Sequence, residues 1–250
     1  MSGRHTYRAI RAGVETLAPG IDLPRHRHTA GYATIVLAGS FIEASFAGRF
    51  MVEPGDVLLH GRFDCHANRA LTRRHLRILR LPWLDDTLEG HFRTEDPDLL
   101  ARAAEREPLE ATAMLRRSLE MSPPRELHWP ERLALALSHD PSLRLRTWSE
   151  REGIAPETLS RGFRRAFDVS PKLFRLEVRA RLAWNALMRS DVPLTTIAHE
   201  YRFSDLAHMS RSVCAFTGFA PSRWRAAAGR SQLLRQLHSS EPGADMARCS

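Results

Sequence analysis

LRTWSEREGIAPETLSRGFRRAFDVSP, residues 145–171, returns about fifty residues further on as LTTIAHEYRFSDLAHMSRSVCAFTGFAP, residues 194–221. Trp148-Ser149 falls on Ile197-Ala198 and Gly153-Ile154 on Arg202-Phe203. After a one-residue offset, Ser160-Arg161 falls on Ser210-Arg211, Asp168 on Gly218 and Pro171 on Pro221. Self-similarity over that length marks a duplicated unit, because chance amphipathicity does not repeat at long range.

In the first copy, Gly153 ends a helix expected over 145–152, since glycine takes positive φ without steric cost. Pro156 suits the first turn of the next helix, where an N–H would be unpaired anyway. That helix, 156–167, places Leu159, Phe163 and Phe167 at i, i+4 and i+8. Its other face carries Glu157, Ser160, Arg161, Arg164 and Arg165. A helix pair whose second member shows a polar, arginine-rich face is the helix-turn-helix plan for reading a DNA major groove.

Residues 128–226 resemble the DNA-binding domain of the AraC/XylS family of transcription regulators, in which one long helix joins two helix-turn-helix units. The residues that carry the resemblance begin with Leu159-Ser160-Arg161, Phe163 and Phe167, then Arg179-Ala180-Arg181-Leu182-Ala183. Leu194-Thr195-Thr196-Ile197-Ala198, Phe203-Ser204-Asp205, Ser210-Arg211 and 218–225 (GFAPSRWR) complete them. Two positions depart from the family pattern. Arg202 stands where the family has a turn glycine, so it must adopt a left-handed conformation if the turn keeps its shape. Met209 and Val213 replace common aromatics.

The resemblance implies base contacts from Glu157, Thr158, Ser160, Arg161 and Arg164 in the first unit, and from Leu206, Ala207, His208, Ser210 and Arg211 in the second. Glutamate accepts from a cytosine amino group, arginine donates twice to guanine, and Leu206 and Ala207 offer a thymine methyl only apolar contact. Phosphate contacts are expected from Arg165, Lys172 and the amides that follow Ser204. For the matched Arg161 and Arg211 a second role stays open: a salt bridge to the preceding helix, with Glu150 and Glu200 as partners.

Net charge is +8. Of 37 basic side chains only Lys172 is lysine, so arginine abundance alone reflects composition. Placement says more: residues 129–229 hold sixteen Lys/Arg against ten Asp/Glu, a difference of +6, which favours an anionic partner for that half. Cys65, Cys214 and Cys249 are odd in number and scattered, and offer no disulfide framework. With no signal-peptide core and no apolar stretch of membrane-spanning length, a cytoplasmic protein with no membrane association is expected.

From Tyr7 to about Leu84 the signals are short strands at 32–37, 40–47, 49–52, 57–60 and 75–81, divided by turns such as Pro54-Gly55-Asp56. A small antiparallel β-barrel is the economical architecture. His26-Arg27-His28, Gly39, Pro54-Gly55-Asp56 and His66-Ala67-Asn68 resemble the two motifs of a cupin barrel. Many regulators of the AraC/XylS family use such a barrel to sense effectors and dimerise. The resemblance implies a pocket contacted by His26, His28, Tyr32 and His66. His26 and His28 share a strand face, and with His66 could hold a divalent metal, with Cys65 as an extra soft ligand. The glutamate of metal-binding cupins is missing, and Tyr32 and Ala33 stand near its place. No cofactor is certain.

Apolar spacing through Leu99, Leu100, Ala103, Ala104, Leu109, Ala113, Met114 and Leu119 predicts two helices interrupted at Pro108, packed on the barrel or forming a dimer interface. Residues 122–126 (SPPRE) read as a linker. Helices follow at 130–138 and 171–188, and residues 229–250 read as a disordered tail.

The expected fold is therefore α+β in two domains: a cupin-like barrel (1–90), a helical hairpin and linker (91–126), and an all-α double helix-turn-helix domain (127–228). The expected function is a non-enzymatic, sequence-specific transcription regulator. Its expected partners are double-stranded DNA, a small-molecule effector, RNA polymerase and a second copy of the chain. Activation and repression stay open. The alternatives are a constitutive DNA-binding dimer whose barrel is only a scaffold, and a cupin-type dioxygenase.

Overall fold

The computed structural model describes residues 11–228 apart from 72, 86 and 124. Strand signals before residue 11 and the tail at 229–250 lie outside the described residues. The chain divides into two compact units, one running to Leu135 and including Gly162–Asp168, the other comprising Ala136–Arg161 and the residues from Val169.

Ten strands form among the described residues of the first unit: β1 (Gly13–Leu17), β2 (Leu23–Arg27), β3 (Tyr32–Ala38), β4 (Phe41–Ala44), β5 (Arg49–Val52), β6 (Asp56–His60), β7 (Cys65–Ala70), β8 (Leu76–Pro82), β9 (Gly90–Arg93) and the two-residue β10 (Glu120–Met121). They make two sheets with antiparallel pairing, β1-β8-β3-β6-β9-β10 and β2-β7-β4-β5. The strand expected over 40–47 is shorter. The chain leaves β4 after Ala44 in a turn closed by Ser45 N–H to Gly48 O at 2.7 Å.

Period-two alternation sorts the large sheet into two faces. Ala33, Ile35, Val57, Leu59, Leu79 and Leu81 point outward and are covered by Trp83, Phe92 and two helices, α1 (Pro97–Ala104) and α2 (Pro108–Ser118). Val36, Leu58 and Ile78 point inward, toward Phe41, Val52 and Leu76. Because both faces are buried, β6 is buried along its whole length and reads as an apolar run rather than a clean alternation. Asp96 and Glu107 cap α1 and α2, each followed by proline in the first turn. The expected helical stripe divides: Leu100 and Ala104 enter the barrel core, joined there by Ala101, Ala111 and Leu115 from outside the expected set, whereas Leu99 and Leu109 stay 43% and 62% exposed.

The helical region contains α3 (Trp129–His139), α4 (Leu145–Arg151), α5 (Pro156–Phe167), α6 (Pro171–Arg189), α7 (Leu194–Glu200), α8 (Leu206–Thr217) and α9 (Pro221–Ala228). The long α6 starts at a Ser170 cap and packs against α7, α8 and α9. Trp184 and Trp224 meet edge to face at 5.7 Å, and the Trp224 indole N–H donates to Thr217 Oγ1 at 2.7 Å. Cys65 is buried and forms no disulfide.

Candidate DNA-binding face and barrel site

The duplication seen in the sequence recurs in backbone geometry. α4 and α7 each span seven residues and bury the matched pairs Trp148-Ser149 and Ile197-Ala198. Each ends on a left-handed residue, Gly153 at φ +65° and Arg202 at φ +59°. The same hydrogen bonds close both turns: Ile154 N–H to Ser149 O and Phe203 N–H to Ala198 O, both 2.9 Å. α5 and α8 each span twelve residues and each ends on a left-handed residue, Asp168 at φ +56° and Gly218 at φ +83°.

Arg202 thus takes the strained conformation that its replacement of glycine requires. Arg179, on α6, braces that turn: its guanidinium donates to Tyr201 O at 2.8 Å and to Arg202 O, and lies 4.4 Å over the Phe203 ring. No spacing rule in the sequence pointed to Arg179 in this role. Met209 and Val213 are wholly buried, so aliphatic side chains fill the places of the aromatics.

On α5 the apolar stripe Leu159, Phe163 and Phe167 is buried, with the two phenyl rings stacked at 4.7 Å. Glu157, Thr158, Ser160, Arg161, Arg164 and Arg165 are all exposed. Gly162 is required within this helix, because a Cβ there would lie 2.4 Å from the Trp129 ring. On α8, Ala207 and Arg211 are exposed and Leu206, His208 and Ser210 half-buried; Ser204, just before the helix, is exposed. Asp205 caps α8 by accepting from His208 N–H at 2.6 Å, and its second oxygen accepts from Ser204 Oγ at 3.0 Å. The His208 N–H bond and then Ser204 hold the Asp205 carboxyl below its ordinary range. A carboxylate therefore already sits at this helix start, where the expected phosphate amides lie. Glu150 is engaged by Arg146 at 2.9 Å, a pairing within its own helix.

The barrel site forms where the inward faces of the two sheets meet. Pairing of His26 with His66 and of Glu43 with Asn68 puts these four, with His28, on one face of the smaller sheet. Tyr32 and His60, paired across β3 and β6, face them from the larger sheet. His26, His28, Tyr32, Glu43, His60 and His66 are each at most 6% exposed. Ring centroids of His66 lie 4.3 Å from His26, 5.4 Å from His28 and 4.6 Å from His60. The Tyr32 hydroxyl and His66 Nε2 are 3.1 Å apart. The expected site residues therefore gather in one place. Cys65 is buried beside them in sequence and its Sγ lies 3.9 Å from Arg27 Nη1.

Among the described residues two groups can hold a metal: His26, His28 and His66, and also Glu43, His60 and His66, with the donor atoms of each group within 4.8 Å of one another. The place just after His28 holds no carboxylate, but Glu43 brings one to the cluster from β4. The available signal was the alternation in SFIEASFA, which places Glu43 on the same face as the apolar Phe41.

Burial pushes the Glu43 carboxyl up to about 7, against the opposing pull of His60. For His60, burial pulls its pKa down but is outweighed by Glu43 and Asp64, so it is raised. Burial and then the neighbouring His60, His26 and His28 hold His66 well below the usual histidine value. Burial and then Glu43 push Tyr32 up. A cavity of about 30 Å³ adjoins His26, Tyr32, Glu43, His66, Asn68 and Arg80, which is room for an ion or a water or two.

Among the described residues no helix is long and apolar enough to cross a membrane. The family model described as "Helix-turn-helix domain" matches residues 148–227. Among solved structures, ToxT from Vibrio cholerae is similar at 8% identity and TM-score 0.40, covering 88% of this chain and 98% of that one. The C-terminal domain of AraT, a response regulator from Geobacillus stearothermophilus, is similar at 19% identity and TM-score 0.39, covering 42% of this chain and 88% of that one. A probable AraC family transcriptional regulator from Rhodopseudomonas palustris is similar at 24% identity and TM-score 0.35, covering 37% of this chain and 90% of that one. No curated protein matches. Residues 148–227 thus carry a helix-turn-helix domain.

Proposed function

We propose that the chain recognises a specific DNA sequence through the exposed faces of α5 and α8, under the control of a ligand in the barrel. The observation that carries this reading is the repeated turn, closed by equivalent hydrogen bonds before α5 and α8. Arg161 and Arg211 occupy equivalent exposed positions on these helices. In this reading Glu157, Thr158, Ser160, Arg161 and Arg164 act on bases with Leu206, Ala207, His208, Ser210 and Arg211, while Arg165, Lys172 and Ser204 act on phosphates. The division is a sensor barrel over 1–90, a hairpin and linker over 91–126 and a DNA-binding domain over 127–228. The barrel effector contacts are His26, His28, Tyr32 and His66, and a divalent metal in the barrel is one form of the controlling ligand. Ligand binding shifts the population of a homodimer toward the arrangement that fits paired half-sites and engages RNA polymerase.

The test is selection of genomic fragments by the purified full-length protein at moderate salt, repeated with chelator. Enrichment of one motif supports the reading. Uniform recovery of all fragments contradicts it, and enrichment that ignores both chelator and small-molecule extracts assigns the barrel a scaffold role.

A further inference from the structure

Resting on the reading of the barrel as the sensor, the geometry points to Glu43, His60 and His66 as a site for a first-row divalent cation of the zinc class. The site is thereby separated from the His26–His28 pair, which contributes no essential ligand. Four observations carry this. Glu43 Oε2 and His60 Nε2 stand 3.5 Å apart at the meeting of the two sheets. His60 Nε2 nevertheless has no hydrogen-bond partner. That separation is about the edge of a tetrahedron with ~2.1 Å metal–ligand bonds, so one ion fits between the two atoms.

Second, His60 is already oriented as a ligand. Its Nδ1 donates to Asp64 Oδ2 at 2.9 Å, which leaves Nε2 as the free lone pair and matches the carboxylate–histidine–metal arrangement of ligating histidines. Third, His66 Nδ1 is buried without a hydrogen-bond partner, and His66 lies within ligand reach of both Glu43 and His60. Fourth, the set has the chemistry of the cation. Two neutral imidazoles and one carboxylate offset part of the divalent charge, whereas three imidazoles offset none, and a cavity of ion or water size adjoins Glu43 and His66. Asn68 Nδ2 donates to Glu43 Oε2 at 3.1 Å and orients the carboxylate as the outer shell of a metal site requires.

The experiment titrates zinc into the metal-free full-length protein and follows heat release, with cobalt(II) absorption as the readout of ligand geometry. Native protein and H28Q are expected to bind one equivalent with similar affinity. E43Q and H60Q are expected to lose the tetrahedral cobalt spectrum, and D64N to bind about 10–100-fold more weakly. Zinc-soaked crystals of the native chain provide a check that needs no variant: the anomalous peak is expected about 2.0–2.2 Å from Glu43 and His60 side-chain atoms. No zinc binding overturns the proposal, as does a peak between His26 and His28, or loss of binding in H28Q with retention in E43Q. Motif enrichment in the DNA selection stands or falls independently of each of these results.

Discussion

Arg202 holds φ +59° in a turn where its counterpart is Gly153, and a side chain in that region costs roughly 1–2 kcal/mol. Replacing it with glycine removes that strain but adds freedom to the unfolded chain. Arg202→Gly is therefore expected to stabilise the protein by about 0.5–1 kcal/mol net, seen as a raised Tm. An unchanged or lower Tm would show that the Arg179 brace already removes the strain. Gly162 behaves in the opposite way. Alanine normally gains about 1 kcal/mol over glycine in a helix, yet a Cβ 2.4 Å from Trp129 forces repacking that costs about 1–3 kcal/mol. Gly162→Ala should lower the Tm, and a rise would contradict the close approach.

Glu43 gives a pH-dependent test. Its folded value of about 7 lies above the ordinary carboxyl value of 4.5, so the stability tied to its neutral form is complete below pH 4.5 and is lost as pH rises through 7. In chelated protein, Glu43→Gln should become more stable relative to the native chain between about pH 5 and about pH 8, measured by denaturant unfolding. His66, whose value is lowered, acts in the opposite direction on both proteins and drops out of the comparison. A difference independent of pH would contradict the buried placement of the Glu43 carboxyl.

At the scale of elements, α1 and α2 belong to the barrel core through Leu100, Ala111 and Leu115. Leu115→Ala is expected to cost about 2–5 kcal/mol by the cavity it leaves, measured by chemical denaturation in dilute protein. A small, concentration-dependent loss would instead place Leu115 in an interface between copies. The bounds of α5, from Pro156 to Phe167, were legible because proline, the i, i+4, i+8 stripe and Asp168 mark both ends. The barrel cluster was only half legible. His26, His28 and His66 stand in recognisable spacings, but Glu43 and His60 come from strands of different sheets. Their meeting depends on register, with Glu43 opposite Asn68 and His60 opposite Tyr32. Local alternation sets a side chain's face, and long-range pairing sets its neighbours. Arg179 was illegible for the same reason: it lies 23 residues from Arg202 and acts on backbone carbonyls.

In the proposed function of the whole molecule, one chain reads DNA with two equivalent helices. Arg161→Ala is expected to weaken specific binding by about 1–3 kcal/mol with the Tm unchanged, because the side chain is exposed and the proposed readout has it donate twice to guanine. A large Tm loss would return Arg161 to a structural salt bridge. The most direct measurement is a hydroxyl-radical footprint of the full-length protein on the enriched DNA motif. The account predicts two protected segments per protomer, separated by about one helical turn of 10–10.5 base pairs. Arg161→Ala and Arg211→Ala should each relax protection at a different one. A single protected segment, indifferent to substitution at Arg211, would contradict it.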